Sequence, residues 1–435
     1  SCYIVRAVHR EHHLNSLNER QKEAVLHTEG PVLILAGAGS GKTKTITHRI
    51  FHLIENGADP ESILAVTFTN KAAKEMRERV EKMIKENLAG RNETDGLPLL
   101  TTFHSLGVRI IKENAGRFGL NRHFGIFDRS DSVRAVKEVL LNQNLDPKRF
   151  EPAKVLAAIS KQKGDFVTQK KYETEAGNEY YPRIIASVWK GYEEVLLKGK
   201  ALDFDDLILK PARLLKEDAE ARKHYQSIWR YIHIDEYQDT NACQYIMAKC
   251  LSEKRRNICV VGDTDQSIYT WRGANIKNIL NFEKDYPEAK IVILEENYRS
   301  TKTILKAANI VIEKNTLRRP KNLYTKNDDG EKICLLAGID ENDEAENVAA
   351  KAEELIKKGS SPSEIAVLYR ANFQSRVMEE AFLSRNIPYQ ILGTRFFERK
   401  EVKDALSYIR AALNPESLSD IKRIINTPAR SLGKV

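Results

Sequence analysis

Cysteine is scarce here and poorly spaced for metal or disulfide chemistry. The five cysteines, at positions 2, 243, 250, 259 and 334, form no C-x-x-C pair. That spacing suggests neither a cysteine zinc site nor a disulfide framework, and it fits a reducing, cytosolic compartment. Long apolar runs are also missing: none approaches the ~18 residues needed to span a bilayer, so no membrane segment is expected. The opening SCYIVRAVHREHH has no Met and no apolar stretch of signal-peptide kind. Residues 1–16, His12-His13 among them, therefore read as an incomplete or non-native leader, expected to be disordered. There is no low-complexity tract and no short-period repeat.

What is present is a chain of 435 residues, 41 % hydrophobic and 30 % charged, with formal charge +9 and pI about 9.0. That composition is globular rather than disordered, and the length suggests about two to four domains. The basic surplus hints at a polyanionic partner.

The most informative stretch is PVLILAGAGSGKTKTIT, Pro31 to Thr47. Val32 to Leu35 reads as a buried strand. The small residues Ala36, Gly37, Ala38, Gly39, Ser40 and Gly41 follow, then Lys42, Thr43 and Lys44 open a helical pattern. Glycines let backbone N–H groups converge on phosphate oxygens, and the helix N-terminus adds partial positive charge. Lys42 would reach the β- and γ-phosphates of ATP, and Thr43 would offer its hydroxyl to Mg²⁺. Ala36 replaces the usual first glycine, a small-residue variant of the same loop.

Further buried-strand candidates are Ile63–Phe68, Leu99–Thr102, Arg230–Asp235, Asn257–Gly262 and Lys290–Leu294, alternating with helical patterns. Alternation of this kind predicts a parallel α/β sheet covered on both faces. Residues 114–200 read as mostly helical and polar, an insertion. The pattern then restarts, with strands expected at Lys332–Gly338, Ile365–Tyr369 and Tyr389–Leu392 between helices Thr301–Lys314, Asp343–Lys358 and Gln374–Arg385. This second α/β unit has no phosphate loop of its own.

At the end of the fourth strand stand Asp235 and Glu236, where open α/β sheets place ligand chemistry. Asp235 reads as a Walker B carboxylate for Mg²⁺, and Glu236 as the general base that polarises the attacking water.

DEYQDTN, Asp235 to Asn241, resembles the DExx box of superfamily 1 DNA helicases of the UvrD/Rep/PcrA type. Other stretches resemble that family's motifs in order: Leu17-Asn18 with Gln21 (Q motif), Ala36–Thr43 (I), Thr67–Ala73 (Ia), Thr102–His104 (Ib), Asp203–Leu207 (a further signature), Val261–Ala274 (III) and Asn297–Ser300 (IV). Arg370–Asn372 with Gln374–Arg376, and Phe396-Phe397-Glu398, resemble the start of the second motor domain.

The resemblance implies a P-loop NTPase with two RecA-like domains: 1A over 17–112 and 201–289, a helical insertion 1B over 113–200, the first part of 2A over 290–411, and the start of a 2B insertion over 412–435. It implies that Gln21 reads adenine, Tyr298 stacks on it, Gln266 senses the γ-phosphate and Arg299 acts as an arginine finger. Single-stranded DNA and its junctions with duplex would be the partners, with 3′→5′ movement in repair or replication in the bacterial cytosol or nucleoid. Tyr269, Trp271 and Arg272 would grip bases and phosphates, since aromatic stacking is nearly sequence-blind. Phe68 and His104 would line the same track, with Phe68 as a core residue left open. Asn70, Asn372 and Ser375 would add backbone or base contacts.

Other signals carry less. Thr325-Lys326-Asn327-Asp328 fits a GTPase guanine pattern but follows no strand, so it reads as a loop. Asp203, Asp205 and Asp206 could pose as a nuclease cluster, but a helix-start cap explains them better. The family's Thr-x-His-x-x-Lys-Gly-Leu-Glu stretch and its last arginine motif are not found. The second motor domain is therefore expected to be incomplete, with weak ATP binding and poor turnover by residues 1–435. Two alternatives remain: the motor portion of a helicase–nuclease, or a fragment that binds single strands without turnover.

Overall fold

In the computed structural model the described residues are 12–88, 96–270, 273–391, 400–428, 430 and 432. Eight strands occur in them: β1 Val32–Ala36, β2 Ile63–Thr67, β3 Leu99–Thr102, β4 Gly125–Phe127, β5 Ala201–Asp203, β6 Tyr231–Ile234, β7 Ile258–Gly262 and β8 Lys290–Leu294. Six of them make one parallel sheet in the order β3-β2-β6-β7-β1-β8. They are the six apolar runs expected from the sequence. Side chains alternate across this sheet, as a two-residue period requires. Leu33, Leu35, Leu64, Val66, Ile232 and Ile234 face one core, while Val32, Ile34, Ile63 and Ala65 face the other. Burial on both faces is why these runs are continuously apolar.

β8 pairs with β1 along its whole length, Val32 to Ala36 against Lys290 to Leu294. The boundary placed before residue 290 is therefore four or five residues early; β8 completes the first sheet. β4 and β5 form a separate two-stranded parallel ladder that the polar composition of 114–200 concealed. Between them, helices Arg129–Asn142, Pro152–Gly164, Gln169–Glu175 and Tyr180–Lys198 enclose their own core around Val136, Ile159 and Trp189.

His12–Ser16 form a 3-10 turn with Leu14 buried against Leu17 and Val25. Order thus begins ahead of Leu17, contrary to the expected disordered leader, because that turn covers an apolar spot on helix Glu19–Leu26. Residues 1–11 lie outside the described residues.

The second unit differs from expectation. Segments 332–338 and 365–369, and 389–391 of the last expected strand, belong to no ladder among the described residues; Leu392 lies outside them. An apolar run favours extended backbone, but a strand also needs a paired neighbour. Helices Glu341–Lys357 and Ser375–Ser384 do pack, around Ala345, Ala349, Ala352 and Phe382. Helix Lys400–Leu413 crosses the boundary expected at 411 and leans on the insertion through Lys403–Asp128, 2.8 Å apart.

Candidate nucleotide site and nucleic-acid track

β1 ends at Ala36 and the chain turns tightly into helix Lys42–Glu55. Gly39 and Gly41 adopt left-handed backbone, φ 68° and 84°, a region glycine enters without steric cost. Gly39 also has no room for a side chain: a Cβ there would lie 2.6 Å from Asn297 Nδ2 and 2.8 Å from Arg299 Cβ. The loop is thus in direct contact with the segment after β8. Tyr298 N donates to Gly39 O at 2.9 Å, and Asn297 Nδ2 donates to Ala38 O at 2.6 Å.

Lys42 Nζ donates to Glu236 Oε2 at 2.9 Å and to Gln266 Oε1 at 3.5 Å. Three residues that follow the C-terminal ends of β1, β6 and β7 therefore meet at the C-terminal end of the sheet. Glu236 sits in left-handed backbone, φ 52°, strain of a sort found where function over-determines a residue. Gln238 holds the arrangement: its Nε2 donates to Glu236 Oε2 at 2.9 Å and its Oε1 accepts from Asp263 N at 2.9 Å. Asp235 is buried; burial, then the neighbouring Glu236, pushes its carboxyl up to about 7, against the opposing pull of Lys42. Thr43 stands half-buried in the first helical turn.

Gln21 Nε2 donates to Ser40 O at 2.9 Å, and Asn18 caps its helix through a reciprocal capping box with Gln21. Asn18 Nδ2 also donates to the Tyr298 hydroxyl at 2.7 Å, so the Q-motif pair and Tyr298 flank one side of the loop. Lys44 does not turn to the loop in this arrangement; its ammonium donates to Ser16 O at 2.5 Å, and burial lowers its pKa. Arg299 is exposed, its backbone N–H held by Asn297 Oδ1 at 2.8 Å, with no partner for the guanidinium among the described residues.

Sequence reasoning missed Asn18's link to Tyr298, Gln238, Asn297, and the cations Arg318 and Lys321. Arg318 grips Asp265 through two bonds of 3.0 and 2.9 Å, and Lys321 pairs with Asp263 and, at 2.6 Å, with Asp265. The only signal was a basic stretch whose acidic partners lie some fifty residues away.

Phe68, after β2, and Tyr269, after β7, stack with ring centroids 5.1 Å apart and planes 20° apart. Asn70 lies exposed at the start of helix Asn70–Asn87, which Thr69 caps. His104 is half-buried, edge-on to the exposed Phe204 at 5.8 Å, and burial lowers its pKa. Asn372 and Ser375 belong to the second unit, in 3-10 turn Asn372–Gln374 and helix Ser375–Ser384. Trp271, Arg272 and Phe396-Phe397-Glu398 lie outside the described residues.

The acidic signature has a structural answer. Lys163 Nζ, fully buried, reaches Asp203 Oδ2, Asp206 Oδ1 and Glu193 Oε1 at 2.9, 3.0 and 3.0 Å. Asp203 Oδ1 also accepts from Asp206 N at 2.8 Å, while Asp205, at the N-cap position of helix Asp206–Glu217, makes no side-chain cap bond.

A parallel sheet with a phosphate loop after β1 and an acidic pair just after β6 defines a P-loop NTPase of RecA-like fold. Within that class, residues 17–287 match the UvrD/REP helicase N-terminal domain and residues 292–435 the UvrD-like helicase C-terminal domain. The chain belongs to the UvrD/REP helicase family. It is 49 % identical over 422 residues to the ATP-dependent DNA helicase PcrA of Staphylococcus epidermidis, covering 97 % of this chain and 57 % of the relative. The PcrA of Staphylococcus aureus is 48 % identical over the same span and shares. The chain thus spans somewhat over half the length of the curated relatives it matches. With both domain models matched, the expectation of weak ATP binding and poor turnover has no support.

Proposed function

We propose that this chain is the ATP-driven motor part of a DNA helicase that moves along single strands, 3′→5′ by family. The observation that carries the reading is the meeting of Lys42, Glu236 and Gln266 at the strand ends, with Tyr298 and Arg299 against the loop. Lys42 exchanges Glu236 for the β- and γ-phosphates. Glu236, so released, accepts the proton of the attacking water. Arg299 neutralises charge growing on the γ-phosphoryl group, and Gln21 and Tyr298 hold the adenine. Thr43 and Asp235 would hold Mg²⁺: the buried carboxyl of Asp235, which burial disfavours as an anion, would gain from a cation, and the ion would supply charge neutralisation at the phosphates.

Gln266 links this cleft to DNA. It lies three residues before Tyr269, whose ring stacks on Phe68, so a base entering between or beside those rings shifts the segment that carries Gln266. His104, Asn70, Asn372 and Ser375, with Trp271 and Arg272, complete the proposed track; ss/ds junctions are the proposed substrate.

The test is ATP turnover with and without an oligo-dT strand. Parent protein should be stimulated by DNA, and Lys42→Ala should lose turnover while single-strand binding stays near parent. Unstimulated parent turnover, or unchanged Lys42→Ala, would overturn the reading.

A further inference from the structure

Helix Lys42–Glu55 carries a second constellation at its far end, about 20 Å from Lys42 at 1.5 Å per residue. His52 and Glu55 share one helical face, and the N-terminal turn lays His13 across them. His13 Nδ1 lies 3.4 Å and His52 Nδ1 3.9 Å from Glu55 Oε2, and the three donor atoms all fall within 4.8 Å of one another. Donors ~2.1 Å from a tetrahedral zinc ion sit about 3.4 Å apart; the two separations to Glu55, 3.4 and 3.9 Å, already come close to that spacing.

The second observation is His13 itself. Its side chain is only 2 % exposed, and neither ring nitrogen has a hydrogen-bond partner among the described residues. A buried polar group without a partner is costly, so such groups normally have an explanation. Glu55 Oε2, 3.4 Å from His13 Nδ1, does not meet hydrogen-bond geometry with it. Phe51, edge-on at 4.9 Å, fixes that ring, and the Asn56 amide lies 3.2 Å from the His52 ring.

We propose that His13, His52 and Glu55 form a binding site for a divalent transition cation of the zinc type. Two imidazoles and one carboxylate supply three ligands, with the fourth position left to water. The ion would pin the N-terminal turn to the helix end. That turn leads directly to Asn18 and Gln21, so bound metal would stiffen the approach to the loop without touching the phosphates.

Untagged full chain, stripped with chelator, is titrated with Zn²⁺ against a chromogenic chelator and with Co²⁺ by visible absorption. One ion per chain should bind with Kd about 1 µM or tighter, and Co²⁺ should show the intense bands of low coordination. His52→Ala and Glu55→Gln should each weaken binding at least tenfold while DNA-stimulated ATP turnover stays near parent. X-ray absorption on the unaltered zinc-loaded chain, which needs no variant to fold, should show two imidazole ligands. No stoichiometric binding, equal affinity in both variants, or an all-oxygen shell would overturn the proposal.

Discussion

Lys42 and Asp235 illustrate opposite electrostatic situations within one site. Lys42 has a carboxylate partner at 2.9 Å, which a γ-phosphate must displace. Asp235 has burial and a like charge against it, hence a carboxyl pushed up to about 7. An acid whose folded pKa lies above its unfolded value favours the folded state while protonated; that contribution is full below pH ~4 and lost as pH rises through 7. Asp235→Asn should therefore raise the melting temperature relative to parent more at pH 8 than at pH 5, measured without nucleotide or Mg²⁺. An equal effect at both pH values would contradict the assigned burial strain. Arg299→Ala should lower turnover by about 10³-fold or more, with ATP binding much less affected, as expected for a group used in the transition state. The residues legible in sequence were those whose partners or roles are local: the glycines, Lys42, Thr43, and Asp235 beside Glu236. Gln238, Lys321 and the Asn18–Tyr298 bond were not legible, since each depends on a partner brought near only by the fold.

At the scale of elements, the two-residue and 3.6-residue periods showed where the main sheet's strands lie but not which strand neighbours which. β8 looked like the start of the second unit because it follows the first unit's helices in sequence; only pairing with β1 assigns it. β4 and β5, three residues each, are too short to leave a pattern. The helical insertion is joined to the motor by Lys163. Burial alone would push its ammonium down; Asp203, Asp206 and Glu193 outweigh that and hold its pKa well above the ordinary value. Removing one partner of such a group leaves the others buried and uncompensated, which costs about 3–5 kcal/mol. Lys163→Ala should lose stability of that order in urea unfolding. A loss below about 1 kcal/mol would show that the carboxylates find other partners cheaply.

For the whole molecule, the formal charge of +9 accords with the proposed track at the stacked pair Phe68 and Tyr269. Phosphate contacts release counterions, so affinity for oligo-dT should fall linearly on a log–log salt plot, with slope about −0.7 per phosphate contacted. A flat response would remove the nucleic-acid reading of that surface. The segment after β8 is the structural link: it closes on the loop through Asn297 and Tyr298, while Arg318 and Lys321 bind the acids beside Gln266. On the proposed reading, ATP chemistry and DNA grip share this connected set of residues. The most direct measurement is single-turnover ATP hydrolysis by Glu236→Gln at saturating single-stranded DNA. This account predicts nucleotide affinity near parent and hydrolysis slowed by about 10²-fold or more, the usual share of a general base; hydrolysis within a few fold of parent would contradict it.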